Sequence, residues 1–326
     1  MGNRGDYFRL FLWVLRFFIN HLCLLYLKMN FMGTVFLHIE NILNEYQYYK
    51  LFRYGEISRE EYYTYLIAHE PELRSKDLTE DQIHLSSRFP LNEAQFVDEI
   101  LAELKNQGVI KTTEYSKKAF SEYRKTIYSN YNHGKYYTFI FPEEERIMYA
   151  LTQIVKPSTV ILLGSYYGYW GIWAMPAVKE VGGLAYFVDL NDDVNKIANI
   201  NLQNFGYQGH FEVITQEGVD FMKQKKTRYD LAVLDAEGNA NHPNSDYRGK
   251  AVYYPLIKEG IKHIYNGGFA LCHNILLKNF LADPYFKLKI AKNLREYEKF
   301  LPFVKENFPF ALEYNTTEGI GVYKRA

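Results

Sequence analysis

The stretch VILLGSYYGYWGIWAMPAVKEVGGLAYFVD, Val160 to Asp189, decides the fold of this chain. It opens on four apolar residues, Val160-Ile161-Leu162-Leu163, a run that suits a strand covered on both faces. Glycines then punctuate Gly164-Ser165-Tyr166-Tyr167-Gly168-Tyr169-Trp170-Gly171. An apolar helical segment follows, and Gly182-Gly183 turns the chain into a second apolar run that ends on Asp189. Strand, glycine loop, helix, strand and terminal acid make up a nucleotide-binding βαβ unit. Glycines let the backbone approach a ligand, a helix N-terminus offers free N–H groups to an anion, and an acid at the second strand tip accepts ribose hydroxyls.

Working outward, further strand signals lie at Phe211–Ile214, Leu231–Asp235, Phe269–Cys272, Ala311–Tyr314 and Ile320–Lys324. Strands alternating with helices predict an α/β, Rossmann-like, doubly wound sheet of seven strands. It is mostly parallel, and the final hairpin supplies an antiparallel strand. The glycine loop reads G-x-x-x-G-x-x-G, not the G-x-G-x-x-G of dinucleotide folds. Tyr254 and Lys258 form a Tyr-x-x-x-Lys like that of short-chain dehydrogenases, but they stand too near the loop for that family.

The loop spacing resembles the first motif of class I S-adenosylmethionine-dependent methyltransferases. Tyr229-Asp230-Leu231-Ala232-Val233-Leu234-Asp235-Ala236-Glu237 is similar to the fourth-strand motif of the catechol and caffeoyl-CoA type O-methyltransferases. Tyr253-Tyr254-Pro255-Leu256-Ile257 and Gly267-Gly268-Phe269-Ala270-Leu271-Cys272-His273-Asn274 resemble that family's next helix and fifth strand. Glu318-Gly319-Ile320-Gly321-Val322-Tyr323-Lys324 resembles its last strand. These blocks stand in family order between Tyr136 and Ala326.

The resemblance implies S-adenosylmethionine as cofactor and a hydroxyl of a small hydroxylated or aromatic molecule as methyl acceptor. It places Gly164, Ser165, Tyr166 and Gly168 around the methionine and ribose portions and Asp189 on the ribose hydroxyls. Glu217 falls near the adenine edge, and Asp235 beside the transferred methyl. Tyr166, Tyr167, Tyr169 and Trp170 can line the sulfonium side by cation–aromatic contact. In the family, an acid ending the fourth strand and an Asp-Asn pair ending the fifth hold magnesium or calcium. Here those positions read Asp235, His273 and Asn274. Imidazole turns the preference of a divalent ion toward zinc, iron or manganese; equally, His273 can serve as general base. Both readings stay open. Leu162, Gly238 and His273 support a non-catalytic alternative in which the domain keeps its fold for binding or assembly, and an N-methylating member of the same fold is a further alternative. Leu162 stands where the family has an acid, and Gly238 where it has a lysine. The turn-rich loop 238–248 brings His242, Asp246 and Tyr247 near Asp235.

Lys+Arg and Asp+Glu are both 38, so the 326-residue chain is formally neutral and offers no electrostatic reason for a nucleic-acid partner. The basic run Lys223, Lys225, Lys226 and Arg228 reads as a solvated turn. Two distant cysteines, Cys23 and Cys272, suit a reducing cytoplasm.

Three parts are expected: residues 1–28, 29–134 and 135–326. In the first, the apolar run from Leu10 to Leu27 is about 18 residues, the lower limit for a membrane span. Arg16, Asn20 and His21 interrupt it. The expectation is a helix that packs on the protein, on a partner, or through residues 7–28 on a membrane surface, rather than a span. Met29 and Met32 are alternative starts. The second part carries helix-start signals at Thr79-Glu80-Asp81-Gln82 and Asn92-Glu93-Ala94-Gln95. It is expected to cover the active site or to form a homodimer contact. The third part is the cofactor-binding domain. It is entered through the helix that starts at Phe141-Pro142-Glu143-Glu144.

Overall fold

The computed structural model describes residues 34–225 and 227–326. The apolar segment within residues 1–28, with the membrane-surface contact expected of it, lies outside the described residues, as does Lys226. Among the described residues no helix is long and apolar enough to cross a membrane.

Seven strands form one sheet: β1 Thr159–Leu163, β2 Leu184–Asp189, β3 Phe211–Thr215, β4 Tyr229–Leu234, β5 Ile264–Cys272, β6 Phe310–Tyr314 and β7 Ile320–Lys324. Their spatial order is β3-β2-β1-β4-β5-β7-β6. Only β7 runs against its neighbours. The order reverses between β1 and β4, and open α/β sheets take ligands at the carboxyl ends of the strands beside such a switch point. Register brings the tips level: Leu163 pairs with Val188 and with Leu234, and Leu234 pairs with Cys272. The residues one step further on, Gly164, Asp189, Asp235 and His273, therefore emerge side by side along one edge.

The strands alternate between two apolar layers. Val160, Leu162, Phe187, Val233 and Leu271 point to one side. Ile161, Leu163, Val188, Leu234 and Cys272 point to the other. A period of two is what a strand buried on both faces requires. Leu162, which stands where the resembling family has an acid, is thus a core residue.

On the first side lie α6 Glu93–Asn106, α7 Lys117–Asn130, α8 Pro142–Val155 and α10 Asp192–Asn204. On the second lie α11 Gly218–Gln224, α12 Tyr253–Gly260 and α14 Phe300–Asn307. Residues 93–130 thus share the core of the sheet, although the sequence sets them apart from it. The helix expected after the glycine loop is short. A 3₁₀ turn, Gly171–Ala174, precedes α9, Met175–Glu180. Pro176 in the first turn of α9 has no N–H to donate, so that helix end offers less to an anion than the sequence pattern suggests.

A third apolar cluster gathers α1 Val35–Leu43, α2 Gln47–Arg53, α3 Arg59–Ala68, α4 Glu70–Ser75 and α5 Glu80–Ser86. Thr79 and Gln82 close a reciprocal capping box at the start of α5, as their spacing predicts. Phe141, Leu276 and Phe286 join this cluster and tie it to the sheet. Arg88 fastens the same seam. Its buried guanidinium donates to the carbonyls of Thr316 and Thr317 at 2.7 and 2.8 Å, and to the side-chain oxygens of Asn315 and Asn279.

Candidate active site

Gly164 leaves β1 with φ +79°, and a Cβ on it would lie 2.3 Å from the Cα of Ala236. Glycine is required there because the exit from β4 crosses the loop, and ligand approach is not the only reason. The amides of Gly164 and Ser165 both donate to the carbonyl of Val188 at 2.9 and 3.1 Å. Tyr166 follows in the left-handed region at φ +51°, a strained position for a residue with a side chain. Its amide donates to Asp189 Oδ2 at 2.9 Å, and the Asn191 amide donates to Oδ1 at 2.9 Å. Asp189 thus orients the loop it faces, while each oxygen keeps a lone pair for a further donor. Burial raises its pKa, and the amides offset this only in part.

The strand tips open into a cavity of about 760 Å³, toward the upper end of the roughly 300–1,000 Å³ usual for ligand clefts. Gly164, Tyr166, Asp189, Glu217, Asp235, His273 and Asn274 all line it. So do four of the chain's exposed large apolar side chains: Tyr137 (41% exposed), Phe139 (39%), Tyr166 (40%) and Leu190 (68%). Apolar surface left in a concavity is surface a ligand can cover. Glu217 is also the N-cap of α11, accepting from the Asp220 amide at 2.9 Å. Ser165 opens instead onto a smaller void of about 30 Å³ behind the loop, and its buried hydroxyl has no hydrogen-bond partner. Gly168 does not face the cavity, because a Cβ there would meet Ala198 and the Tyr131 hydroxyl. Tyr167, Tyr169 and Trp170 turn inward and are buried, so Tyr166 alone of the loop aromatics reaches the large cavity.

Beside the switch point a charged chain crosses the site. His273 sits between two carboxylates, with Nδ1 at 3.2 Å from Asp235 Oδ1 and Nε2 at 3.0 Å from Glu144 Oε2. Lys250 Nζ lies 3.4 Å from the same Asp235 oxygen. Burial works against the imidazolium, but Glu144 and Asp235 outweigh it and push the His273 pKa up to about 10. For Asp235, burial would raise the pKa, yet His273 and Lys250 hold it below the ordinary carboxylate range. Glu144 is fully buried in the first turn of α8. It also accepts from Thr316 Oγ1 at 2.7 Å, from the Glu318 amide at 3.0 Å and from the Phe141 amide at 3.0 Å.

This arrangement sets a carboxylate oxygen against each nitrogen of His273. To ligate a metal or take a proton from an acceptor, the imidazole would first have to give up one of these two contacts. Asp235 Oδ1 already faces His273 Nδ1 and Lys250 Nζ, so an ion held by Asp235, His273 and Asn274 would have to displace these partners. Among the described residues no group of three or more His, Cys, Asp or Glu is disposed to hold one. Lys250 reaches Asp235 from the far side of loop 238–248. Gly238 bridges to Gly249 by paired amide–carbonyl bonds of 2.9 and 3.1 Å, which carries Lys250 back beside Asp235. Of loop 238–248, His242 and Tyr247 line the cavity, whereas Asp246 pairs with Lys299 at 2.6 Å.

Sequence reasoning missed Glu144, Lys250, Asp81, Lys289 and Glu318. One signal was present. Three consecutive acids follow Pro142, and Glu143, Glu144 and Glu145 are all buried. Three buried carboxylates in one helical turn need dedicated partners. Glu143 accepts from the Thr317 amide at 2.8 Å, and burial together with the Glu144 charge pushes its pKa up to about 8. Glu145 accepts from the Tyr169 and Tyr128 hydroxyls at 2.7 and 2.9 Å and pairs with Arg124 at 3.1 Å.

No family model matches the chain, and no curated protein matches it either. Solved structures are similar to it at a distance. A proposed caffeoyl-CoA O-methyltransferase from Staphylococcus aureus is 12% identical over 70% of this chain and 99% of its own, with a TM-score of 0.48. A Podospora anserina methyltransferase bound to SAH (S-adenosylhomocysteine) is 15% identical over 73% of this chain and 98% of its own, with a TM-score of 0.47. An O-methyltransferase from Bacillus cereus, in complex with SAH, is 15% identical over 72% and 100%, with a TM-score of 0.46. Identity and score are both too low for these neighbours to bear on this chain's reaction.

Proposed function

We propose that the chain is an S-adenosylmethionine-dependent O-methyltransferase acting on a hydroxyl of a small molecule. One observation carries this reading. Asp189, with each oxygen pinned by an amide, faces the Gly164–Tyr166 loop on a cavity that also holds exposed apolar side chains and Asp235. When bound, the cofactor supplies an electrophilic methyl on a sulfonium. Asp189 would accept from the two ribose hydroxyls through its remaining lone pairs, and Glu217, which lines the same cavity, would serve the adenine. Tyr166 and Leu190 cover apolar ligand surface and exclude water.

At the other end of the bond to be formed, Asp235 would orient the attacking hydroxyl and take up its proton as the O–CH3 bond forms and the S–CH3 bond breaks, releasing that proton afterwards to water. His273 and Lys250 are positioning residues, since both hold Asp235 Oδ1 and fix its charge. Alignment of this kind can account for several kcal/mol of a barrier, up to about 7–11 in well-oriented systems. No step is assigned to a metal, because the nitrogens and the oxygen that would ligate it already pair with one another. Titration calorimetry with S-adenosylmethionine and with NAD is the direct test. Binding of the first and not the second is expected, and the reverse result would sink the assignment.

A further inference from the structure

The far wall of the cavity points to the chemistry of the acceptor. It is built on α13, Pro284–Glu296, whose cavity-facing residues are Lys289, Lys292, Asn293 and Glu296. That spacing of i, i+3, i+4 and i+7 is one helical face, and none of the four is apolar. Asp81 from α5 and Glu318 from the β6–β7 turn complete the wall. Lys289 Nζ lies between them, 2.9 Å from Asp81 Oδ1 and 3.1 Å from Glu318 Oε1. Lys292 Nζ is 3.6 Å from Glu296 Oε1, and Lys250 Nζ is 3.4 Å from Asp235 Oδ1. Every ammonium that faces the cavity already has a carboxylate.

We infer that the acceptor is a neutral, hydroxyl-rich molecule, a sugar or another polyol. This deepens the methyltransferase reading and rests on it. A phosphorylated or carboxylated acceptor would add negative charge to a wall where Asp81, Glu318 and Glu296 already offset Lys289 and Lys292, so no net positive charge is left to hold it. A flat aromatic would desolvate the wall without returning hydrogen bonds to it. A neutral hydroxyl, by contrast, donates to a carboxylate and accepts from an ammonium without disturbing the pairing. An ammonium carries three donors and a carboxylate about four lone-pair sites, so both keep capacity beyond their mutual contact. Of the exposed apolar side chains, Tyr166 and Leu190 adjoin Asp189 at the other end of the cavity.

The test incubates the full chain with methyl-labelled cofactor and a panel at equal concentrations: uncharged methyl glycosides and inositols, the corresponding sugar phosphates, and catechols. Label is expected in one or more uncharged polyols. Saturation-transfer NMR on SAH-saturated protein should show contact from the same compounds. Lys292→Ala, a largely exposed position that leaves the fold alone, should raise KM for that polyol at least fivefold with kcat and SAH affinity unchanged. Preference for a catechol or a phosphate overturns the inference. So does the absence of any polyol binding by a protein that binds SAH, or an unchanged KM in the variant. Failure to bind SAH would instead sink the methyltransferase reading. The NMR experiment on cofactor-free protein would then still decide whether this wall takes polyols.

Discussion

At the β1–β3 end of the cavity, the ligand-facing groups are held by main chain. Asp189 is fixed by the amides of Tyr166 and Asn191, and the loop amides are fixed by Val188. At the α13 end they are held by side chains drawn from distant parts of the sequence. Lys289 pairs with Asp81 across 208 residues, and His273 meets Glu144 across 129. Backbone geometry is indifferent to most substitutions and to pH, so the first end is robust and generic. Buried ion pairs depend on every member being present, so the second end is brittle and particular to this chain.

That contrast can be broken most forcefully at Glu144. Glu144→Ala would leave the His273 charge with one partner fewer and strip acceptors from Thr316, Phe141 and Glu318. A loss of about 3–5 kcal/mol of stability is expected from removing one partner of a buried pair, read by chemical denaturation. A loss below ~1 kcal/mol would show that the chain of charges contributes little. Asp189→Ala should do the opposite, sparing the fold and striking the ligand. Losing two hydrogen bonds to a charged acceptor, at about 1.5–3 kcal/mol each, should weaken SAH binding by at least a hundredfold in calorimetry. Unchanged affinity would put the cofactor elsewhere.

The two ends should also differ in their response to pH. His273 titrates near 10 in the fold, above its ordinary value, so its stabilisation is complete below about pH 6.5 and drains away as pH rises toward 10. Glu143, raised to about 8, acts with the same sign across about pH 4.5 to 8, because the folded form holds a proton that the unfolded form has released. Melting temperature should therefore fall as pH rises from 5.5 to 9.5. His273→Asn should flatten the upper part of that fall, and an equally steep decline in the variant would assign it to other groups. The smallest expected effect is that of a chelator. With the Asp235 and His273 donors committed to each other, methyl transfer should survive EDTA. Loss of activity restored by magnesium or manganese would show that a metal displaces the internal cations.

The sheet was legible in the sequence because strand burial writes itself locally. Runs such as Val160–Leu163 and Tyr229–Leu234 carry their apolar period in consecutive residues, and Gly164 and Asp189 mark where each run must stop. The carboxyl edge was legible for the same reason, since strand register alone places Gly164, Asp189, Asp235 and His273 side by side. What no local pattern could show is who meets whom once the edge is formed. His273 looked equally like a base or a ligand, and only folding set Glu144 against its second nitrogen. The helical segment after the glycine loop was legible too, though not its division into a 3₁₀ turn, Gly171–Ala174, and the short α9. The sequence by itself determined the sheet, its carboxyl edge and the acid that faces the loop. The tertiary structure alone decided the placing of His273 between Glu144 and Asp235, the return of Lys250 to Asp235 and the paired wall of α13, because an ion pair depends on distance in space and leaves no periodic trace along the chain.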